Sequence, residues 1–417
     1  MASSSRCTSQ SVRHLVFFEE LATLRETDAQ WSATTAGLVV LRLFDAWVDE
    51  GEIVLQDSWG VRAVREAVEA IGDATPVRSI LGGIVDTMRS APPDGISSVA
   101  PRLMAYGRAL NLEGQWRLSA DVYRTIIAHT NPMEDSDIAI DANMHLGYCS
   151  VTLGEWDLAA AAYSFAGQIA EASGDIVKVL RARLADAKLL TDRGNLPGAE
   201  AVLDEAIGRA SRMNIGEVGG LLKHQRASVA ALRGEHERSI RLVYEALTAL
   251  ESPSARDRAL SDLAATFAEL GCRSAARDAH LILAATAQEQ YSRWVATINL
   301  MELAGLDMRE PNFEQYRREL ADAPLPPSLA AAYHLYIGQG YQHFGKFDLA
   351  QQSIAHAIDI SSTHHLNQYL FQAETALADL KAGRRNNDKP AVEPAHSIRD
   401  IAVSLREMRM ASNVSDQ

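Results

Sequence analysis

Cysteine is scarce in this chain of 417 residues, which has only Cys7, Cys149 and Cys272. Their odd number and wide spacing argue against both a disulfide framework and a zinc knuckle. We therefore expect a reducing compartment, and the cysteines suggest no metal centre.

Long apolar runs are also missing. No stretch approaches the 18 uninterrupted apolar residues that a membrane-spanning helix needs. The first 14 residues, MASSSRCTSQSVRH, are not followed by the apolar region of a secretory signal. These features predict a cytoplasmic protein without a membrane partner.

Basic charge is sparse as well. The formal net charge is -14, and the first 100 residues hold eight Arg and no Lys against fourteen Asp and Glu. Binding to nucleic acid needs a basic surface that neutralises phosphates, so we expect no nucleic-acid partner. The whole chain has 34 Arg but six Lys, a bias associated with GC-rich bacterial genomes, which favours a bacterial origin.

What the sequence has is an internal repeat. A glycine is followed two residues later by an aromatic, aliphatic or His residue, then by Ala or Ser, a large residue and a further Ala or Ile. In four copies the glycines are 40 residues apart, and a looser fifth copy at Gly271 and a clear sixth copy at Gly345 follow. The six glycines are Gly114, Gly154, Gly194, Gly234, Gly271 and Gly345.

A second small residue lies seven positions before each of these glycines, which is two helical turns. This spacing predicts a first helix whose small residue lets a second, antiparallel helix approach closely. The glycine then provides the sharp reversal between the two helices. The small residues are Gly107, Gly147, Ala187, Ala227, Ala264 and Gly338.

The pattern resembles the tetratricopeptide repeat (TPR), and the resemblance covers about residues 97–383. It implies an all-α fold: a TPR-like α/α superhelix, a solenoid of antiparallel helix pairs. The period of 40 exceeds the usual 34, and HEAT or armadillo repeats, with a natural period near 40, remain the alternative. The Gly-x-Trp-x-x-Ala turn, present at Gly154 and with Ser119 in place of Ala at Gly114, favours the TPR.

Outside the array we expect further helices. The first 90 residues are predicted as an N-terminal helical bundle or as divergent repeats, with one helix capped by Asp57 and another by Thr75. The predicted division is a disordered N-terminus at 1–10, a helical region at 11–90, the array with its capping helix at 97–383, a linker at 384–395 and a C-terminal helix at 396–410.

No set of residues points to catalysis. The segment from Gly340 to Lys346 matches a phosphate-binding loop up to the lysine, but Phe347 stands where Ser or Thr would bind magnesium. Five of the twelve histidines lie between residues 334 and 365 without a metal-binding spacing. We therefore expect no enzyme activity, no cofactor and no metal.

Arrays of stacked helices usually bind their partners on the concave face lined by first helices. Aligning the copies on the turn glycines predicts a polar, locally cationic groove there. Its cations favour an acidic peptide, although the Lys, Asn and Arg set that binds chaperone tails in related proteins is not reproduced. The candidate residues are Arg108, Asn111, His145, Tyr148, Arg181, Lys188, His224, Gln225, Tyr336 and Gln339.

Two functions are compatible with this interpretation. The first is a protein–protein interaction scaffold that binds a peptide or helix of another protein in the groove. The alternative is a bacterial TPR regulator gated by a peptide or small ligand. The sequence leaves the partner and the oligomeric state open.

Overall fold

A computed structural model describes residues 13–50, 59–72, 76–90, 96–384 and 390–412. These residues form twenty helices and no strand. The predicted disordered N-terminus at 1–10, Cys7 and the predicted caps Asp57 and Thr75 lie outside the described residues. The chain divides into two compact units, Met1–Asn195 and Leu196–Gln417, and each is described by itself.

Unit 1 contains nine helices in its described part. They are α1 (Leu15–Thr23), α2 (Ala29–Glu50), α3 (Trp59–Glu69), α4 (Pro76–Ser90), α5 (Ile96–Leu112), α6 (Trp116–His129), α7 (Ser136–Thr152), α8 (Trp156–Ser173) and α9 (Ile176–Asp192).

Unit 2 contains eleven in its described part. They are α10 (Leu196–Arg212), α11 (Gly216–Leu232), α12 (His236–Ala249), α13 (Pro253–Glu269), α14 (Arg273–Thr286), α15 (Gln290–Leu306), α16 (Glu310–Leu320), α17 (Pro327–His343), α18 (Phe347–Thr363), α19 (Asn367–Lys381) and α20 (His396–Ala411).

The turn glycines reverse the chain as the sequence predicts. Gly114, for example, has φ of +75°, a left-handed conformation that costs little only for glycine. In the α5–α6 pair, a Cβ added to Gly107 would lie 2.6 Å from the ring of Tyr123. The hydroxyl of Ser119 also donates to the carbonyl of Gly107 at 2.8 Å. The small residues of the motif thus set the contact between the two helices.

Two further pairs repeat this packing. A Cβ on Gly147 in α7 would meet Tyr163 of α8, and one on Gly338 in α17 would meet Ile354 of α18, both within 2.4 Å. The chain is therefore an all-α protein of TPR-like helix pairs, and the TPR interpretation is confirmed.

The repeat shortens in unit 2. Gly234, Gly271 and Gly345 have positive φ, and so does Met308, which stands at the turn between α15 and α16. From each of these four turn residues to the next along the chain, the distance is 37 residues. Methionine in place of glycine explains why the glycine pattern in the sequence does not include α15 and α16.

The first four helices of unit 1 share one hydrophobic core with the helices that follow. Phe17 of α1 and Phe44 of α2 are buried in the same cluster as Leu81 of α4 and Leu103 of α5. The boundary near residue 90 remains a prediction from the sequence.

A buried polar cluster connects α1 to α2 and α6. His14 lies 2.6 Å from Asp121 through Nδ1 and 3.1 Å from Asp45 through Nε2, while Nε2 of His129 lies 2.9 Å from Asp45. Burial disfavours the charged imidazole, but the bonds to Asp121 and Asp45 outweigh it and raise the pKa of His14 to about 9. The two histidines hold the pKa of Asp45 low despite its burial.

The C-terminal helix α20 packs against α12 and α14. Ile398 and Leu405 are buried there, and Arg409 lies 2.9 Å from the buried Asp278. Upstream, the amide of Val392 donates to the carbonyl of the turn residue Gly271. The sequence predicts this helix but not its position.

None of the described helices has the length and apolar character that crossing a membrane requires.

Candidate functional site

A cavity of about 410 Å³ opens among the first helices of three successive pairs in unit 2, α13, α15 and α17. Its lining is Ala265, Ala268, Glu269, Gly271, Arg273, Asn299, Glu302, Leu303, Leu306, Tyr336, Gln339, Gly340 and His343. Most of these residues are polar or small, so the cavity offers hydrogen-bonding groups around an open centre.

Small residues leave this space open. Ala265 and Ala268 of α13 extend little into the cavity. Gly340 of α17 also has no side chain, and a Cβ there would lie 2.2 Å from the ring of Phe313. A Cβ on Gly305 of α15 would lie 3.2 Å from the Cα of Gly340. Glycine at position 340 thus makes room for the ring of Phe313 of α16, and glycine at position 305 allows a close contact between α15 and α17.

The charged groups of the cavity are of both signs. Glu269 and Glu302 supply carboxylates. Nη1 of Arg273 donates to the carbonyl of Leu306 at 3.0 Å and to Asp307 at 3.3 Å. This arginine is therefore held against the end of α15, and its charge is partly compensated by its own chain.

Tyr336 of α17 is a hydrogen-bonding group of fixed protonation. The negative charge of Glu302 raises its pKa most, followed by burial and by Tyr369. The phenol therefore stays protonated at neutral pH. It presents a hydroxyl that can donate to a ligand carbonyl.

A second hollow of about 330 Å³ continues the same face towards α19. Gln339 lines both hollows, and Phe371 of α19, which is 68% exposed, lines the second. The remaining lining residues are Gln372, Thr375, Ala376 and Asp379. The face formed by α13, α15, α17 and α19, called the first-helix face of unit 2, thus combines two hollows with an exposed aromatic ring.

Four of the ten candidate residues lie in unit 2. Tyr336 and Gln339 line the cavity, whereas His224 and Gln225 of α11 do not. His224 instead lies 2.7 Å from Asp262 of α13 through Nε2, and Gln225 is half-buried.

Four candidates lie on α5 and α7 in unit 1. Arg108 is exposed, and the side-chain oxygen of Asn111 accepts a hydrogen bond from Cys149 at 3.3 Å. The ring of His145 stacks on Tyr123 at 5.0 Å, and burial followed by the charge of Arg108 lowers the pKa of His145. Tyr148 is 54% exposed.

The other two candidates in unit 1 are Arg181 and Lys188, which are exposed on α9. The structure therefore distributes the ten residues over two units, and a single groove that contains all of them remains a prediction.

Asn299 and Glu302 of α15 line the cavity but are not predicted from the sequence. They lie in the α15–α16 pair, whose turn has Met308 instead of glycine. The signal that could have found them is the 37-residue period, which makes Asn299 equivalent to Tyr336 and Glu302 equivalent to Gln339.

Within the described ranges, no group of three or more His, Cys, Asp or Glu side chains is placed to hold a metal ion. The cavity therefore suggests recognition by hydrogen bonds, charge and apolar contact.

No family model and no curated protein matches the chain. Among 65 matching chains of solved structures is the apo form of RapI, 12% identical, with 84% of this chain and 99% of that chain covered and a TM-score of 0.47. A Rap protein complexed with competence and sporulation factor is 12% identical, covers 84% and 98%, and has a TM-score of 0.44.

A third match comes from Pyrococcus horikoshii, a signal transduction ATPase with numerous domains and a tetratricopeptide repeat sensor. It is 11% identical, covers 100% of this chain and 60% of that chain, and has a TM-score of 0.45. At these low scores, none of the three similarities indicates a function. The helix pairs themselves make the chain a TPR-type helical-repeat protein.

Proposed function

We propose that this chain is a non-enzymatic, cytoplasmic interaction scaffold that binds an extended peptide of a partner protein on the first-helix face of unit 2. The observation that carries the proposal is the cavity among α13, α15 and α17, which continues through Gln339 into the hollow beside Phe371. An extended peptide places successive side chains in separate hollows, while its amides bond to polar groups between them.

The lining suits such a ligand. Peptide amides can donate to Glu302 and accept from Tyr336, and Gln339 between the two hollows can do both. Phe371 offers an apolar contact at the far end. Two carboxylates, Glu269 and Glu302, line the cavity against the one guanidinium of Arg273, so a neutral or basic peptide segment suits this part of the face.

The test is to select peptides from a phage-displayed random library against the full chain and to measure their affinity by fluorescence anisotropy. Ala265→Trp fills the cavity from an exposed position of α13. We expect it to weaken binding by at least about tenfold. Ala285→Trp, at an exposed position of α14 outside the cavity, is the matched control and should change the Kd less than about twofold. Equal affinity for both variants would exclude the cavity as the binding site.

An acidic peptide is proposed for unit 1, whose exposed Arg108, Arg181 and Lys188 lie on first helices. The charge reversal Arg181→Glu with Lys188→Glu should weaken the binding of a glutamate-rich peptide by about tenfold and reduce its salt dependence. Arg241→Glu, at an exposed position of α12, is the control. If the double reversal binds that peptide as tightly as the control does, the acidic-partner hypothesis is wrong.

A ligand-gated regulator is the second candidate. The observation that favours it is the shared core of α1 to α8, through which a rearrangement of the repeats would reach the N-terminal helices. A regulator should become more compact when its effector binds, as measured by small-angle scattering. A scaffold should keep the same radius of gyration.

A further inference from the structure

The 40-residue period allows equivalent positions of successive first helices to be compared. Two positions, one helical turn apart, are buried and apolar in α5, where Leu103 and Tyr106 occupy them. In the next three first helices polar residues enter one or both of these positions. The first position holds Asn143 in α7, Arg183 in α9 and Lys223 in α11. The second position holds Leu146 in α7, Asp186 in α9 and Arg226 in α11.

In α7 and α11 the chain supplies partners for these polar groups, and Nη1 of Arg226 is the one nitrogen of that guanidinium without a partner among the described residues. Nδ2 of Asn143 donates to the carbonyl of Ala139 at 2.7 Å. Lys223 pairs with Glu245 at 2.7 Å, and the fully buried Arg226 donates through Nε to Asp204 at 2.9 Å. A polar group placed where the repeat normally buries an apolar one is thus compensated inside the protein.

In α9 the two charged residues face a cavity instead. It has a volume of about 350 Å³, lies between α8 and α9, and is lined by Tyr163, Ser164, Gly167, Gln168, Glu171, Val179, Ala182, Arg183 and Asp186. Among the described residues, the side chains of Arg183 and Asp186 form no hydrogen bond and no ion pair. Both side chains thus remain available to a ligand.

The environment of Asp186 favours a cationic ligand. Its side chain is half-buried, and burial raises its pKa, although the charge of Arg183 opposes this effect. A carboxylate that has lost part of its water is stabilised by a positive group that donates to it. Arg183, one turn away on the same helix, offers the complementary charge for an anionic group.

The rest of the lining is partly polar, with Ser164, Gln168 and a second carboxylate, Glu171, and partly apolar. Gly167 faces Ala182, and a Cβ added to Gly167 would lie 3.5 Å from the Cβ of Ala182. These two small residues leave room beside the ring of Tyr163 and the side chain of Val179. The volume lies within the range of about 300 to 1,000 Å³ that is typical of small-molecule sites.

We propose that this cavity binds a free α-amino acid, with its ammonium group at Asp186, its carboxylate at Arg183 and its side chain against Tyr163 and Val179. The ammonium and the carboxylate of a free amino acid lie close together, on the same carbon atom. In the cavity, Asp186 and Arg183 also lie close together, one helical turn apart on α9. The site lies within unit 1, and the proposal does not depend on peptide binding by unit 2.

The experiment is isothermal titration calorimetry of the full chain with each of the common L-amino acids, which measures the Kd of each. The best binder is then compared with three analogues: its amide, the amine without the carboxylate and the acid without the ammonium. Each analogue should bind at least about tenfold more weakly, because each loses one charge-assisted contact. The amide also represents the N-terminus of a peptide. Equal binding of the amide would therefore identify a peptide end as the ligand and overturn the proposal.

Variants test the assigned residues. Asp186→Asn and Arg183→Leu should each weaken the binding of the amino acid by at least about tenfold. Asp192→Asn, on α9 but outside the cavity lining, should leave the Kd unchanged.

Asp186→Leu separates binding from folding. It restores an apolar residue at this position of the repeat, so it should abolish binding while the Tm stays the same or rises. The proposal is overturned if no amino acid binds the wild-type chain, or if Asp186→Asn and Asp186→Leu bind as tightly as wild type.

Discussion

The helices α9 and α11 show two outcomes of the same change in sequence. Both carry charged residues at the two positions where α5 buries Leu103 and Tyr106. In α11, Lys223 and Arg226 are paired with carboxylates of neighbouring helices. In α9, the equivalent residues line a cavity.

The comparison indicates that a helical repeat can accept charge at a normally apolar position in two ways. The charge is either paired within the protein, as in α11, or it remains beside an open space, as in α9, where we propose a ligand site. Backbone geometry does not distinguish the two outcomes. The neighbouring side chains do, since α10 supplies Asp204 for Arg226 while α8 supplies no partner for Asp186.

The largest expected effect comes from reversing the compensated charge. Arg226→Glu places a carboxylate in the buried site beside Glu200 and Asp204, so we expect unit 2 to lose about 4 kcal/mol of stability. Hydrogen exchange of α11 and α12 measures this loss locally. The control Arg241→Glu, at an exposed position, should change stability by less than about 0.5 kcal/mol. Equal protection in both variants would show that the Arg226 pairs do not stabilise the unit.

The second prediction extends the comparison to two buried histidines: His14 of unit 1 has charged partners, whereas His280 of unit 2 has none among the described residues. In unit 1, the pKa of His14 is raised from 6.5 to about 9, with Asp45, Asp121, His129 and Arg13 around it. The folded state therefore binds the proton more tightly than the unfolded state. The stabilisation of the folded state by protonated His14 is complete below pH 6.5 and is lost as the pH rises through about 9. The linkage between proton binding and folding limits this contribution to the free energy of unfolding to about 3 kcal/mol.

In unit 2, burial lowers the pKa of His280 from 6.5 to about 4. The folded state favours the neutral ring, so unit 2 should lose stability as the pH falls from 6.5 towards 4. Hydrogen exchange of the amides of α1 and α14, corrected for the intrinsic pH dependence of exchange, measures how stability changes with pH in each unit. His14→Gln should remove the alkaline slope and His280→Phe the acidic one. If the pH dependence of stability persists in these variants, it comes from other titratable groups.

The third prediction concerns the small residues at the helix contacts. Gly147 has no room for a Cβ because the ring of Tyr163 lies within 2.3 Å of that position, so Gly147→Ala should cost about 2 kcal/mol through overpacking. In unit 2, Ala227 already holds a Cβ in the core with Val243. Ala227→Gly should cost only about 1 kcal/mol, from helix propensity. Urea unfolding compares the two, and the reverse order would contradict the packing given for the motif.

The smallest expected effect is a gain. Asp186→Leu removes a half-buried carboxylate and fills part of the cavity, which should stabilise unit 1 by about 1 kcal/mol. Thermal unfolding measures the gain. Asp192→Asn, outside the cavity lining, should leave the Tm unchanged. A loss of stability in Asp186→Leu would mean that the carboxylate has a structural partner in solution.

Much of the fold could be predicted from the sequence because the repeat is local. A turn glycine and a small residue seven positions earlier define each helix pair, and Gly107, Gly147 and Gly338 make the predicted contacts. The position of α20 could not be predicted, since its contacts with α12 and α14 join residues more than a hundred positions apart. Nothing in the local pattern encodes that pairing.

The candidate site could be predicted only in part. Tyr336 and Gln339 were found because Gly345 marks their pair. Glu302 was missed because Met308 replaces the turn glycine of its pair. The distribution of the other candidates over two units depends on tertiary contacts, which a repeat alignment does not contain.

The most direct measurement for the proposed function is photo-crosslinking with benzoylphenylalanine at position 339, between the two hollows of unit 2. A peptide selected against the full chain should crosslink there and should not crosslink when the probe replaces Ala285 on α14. Crosslinking at position 285 but not at 339 would place the peptide elsewhere and contradict binding on the first-helix face.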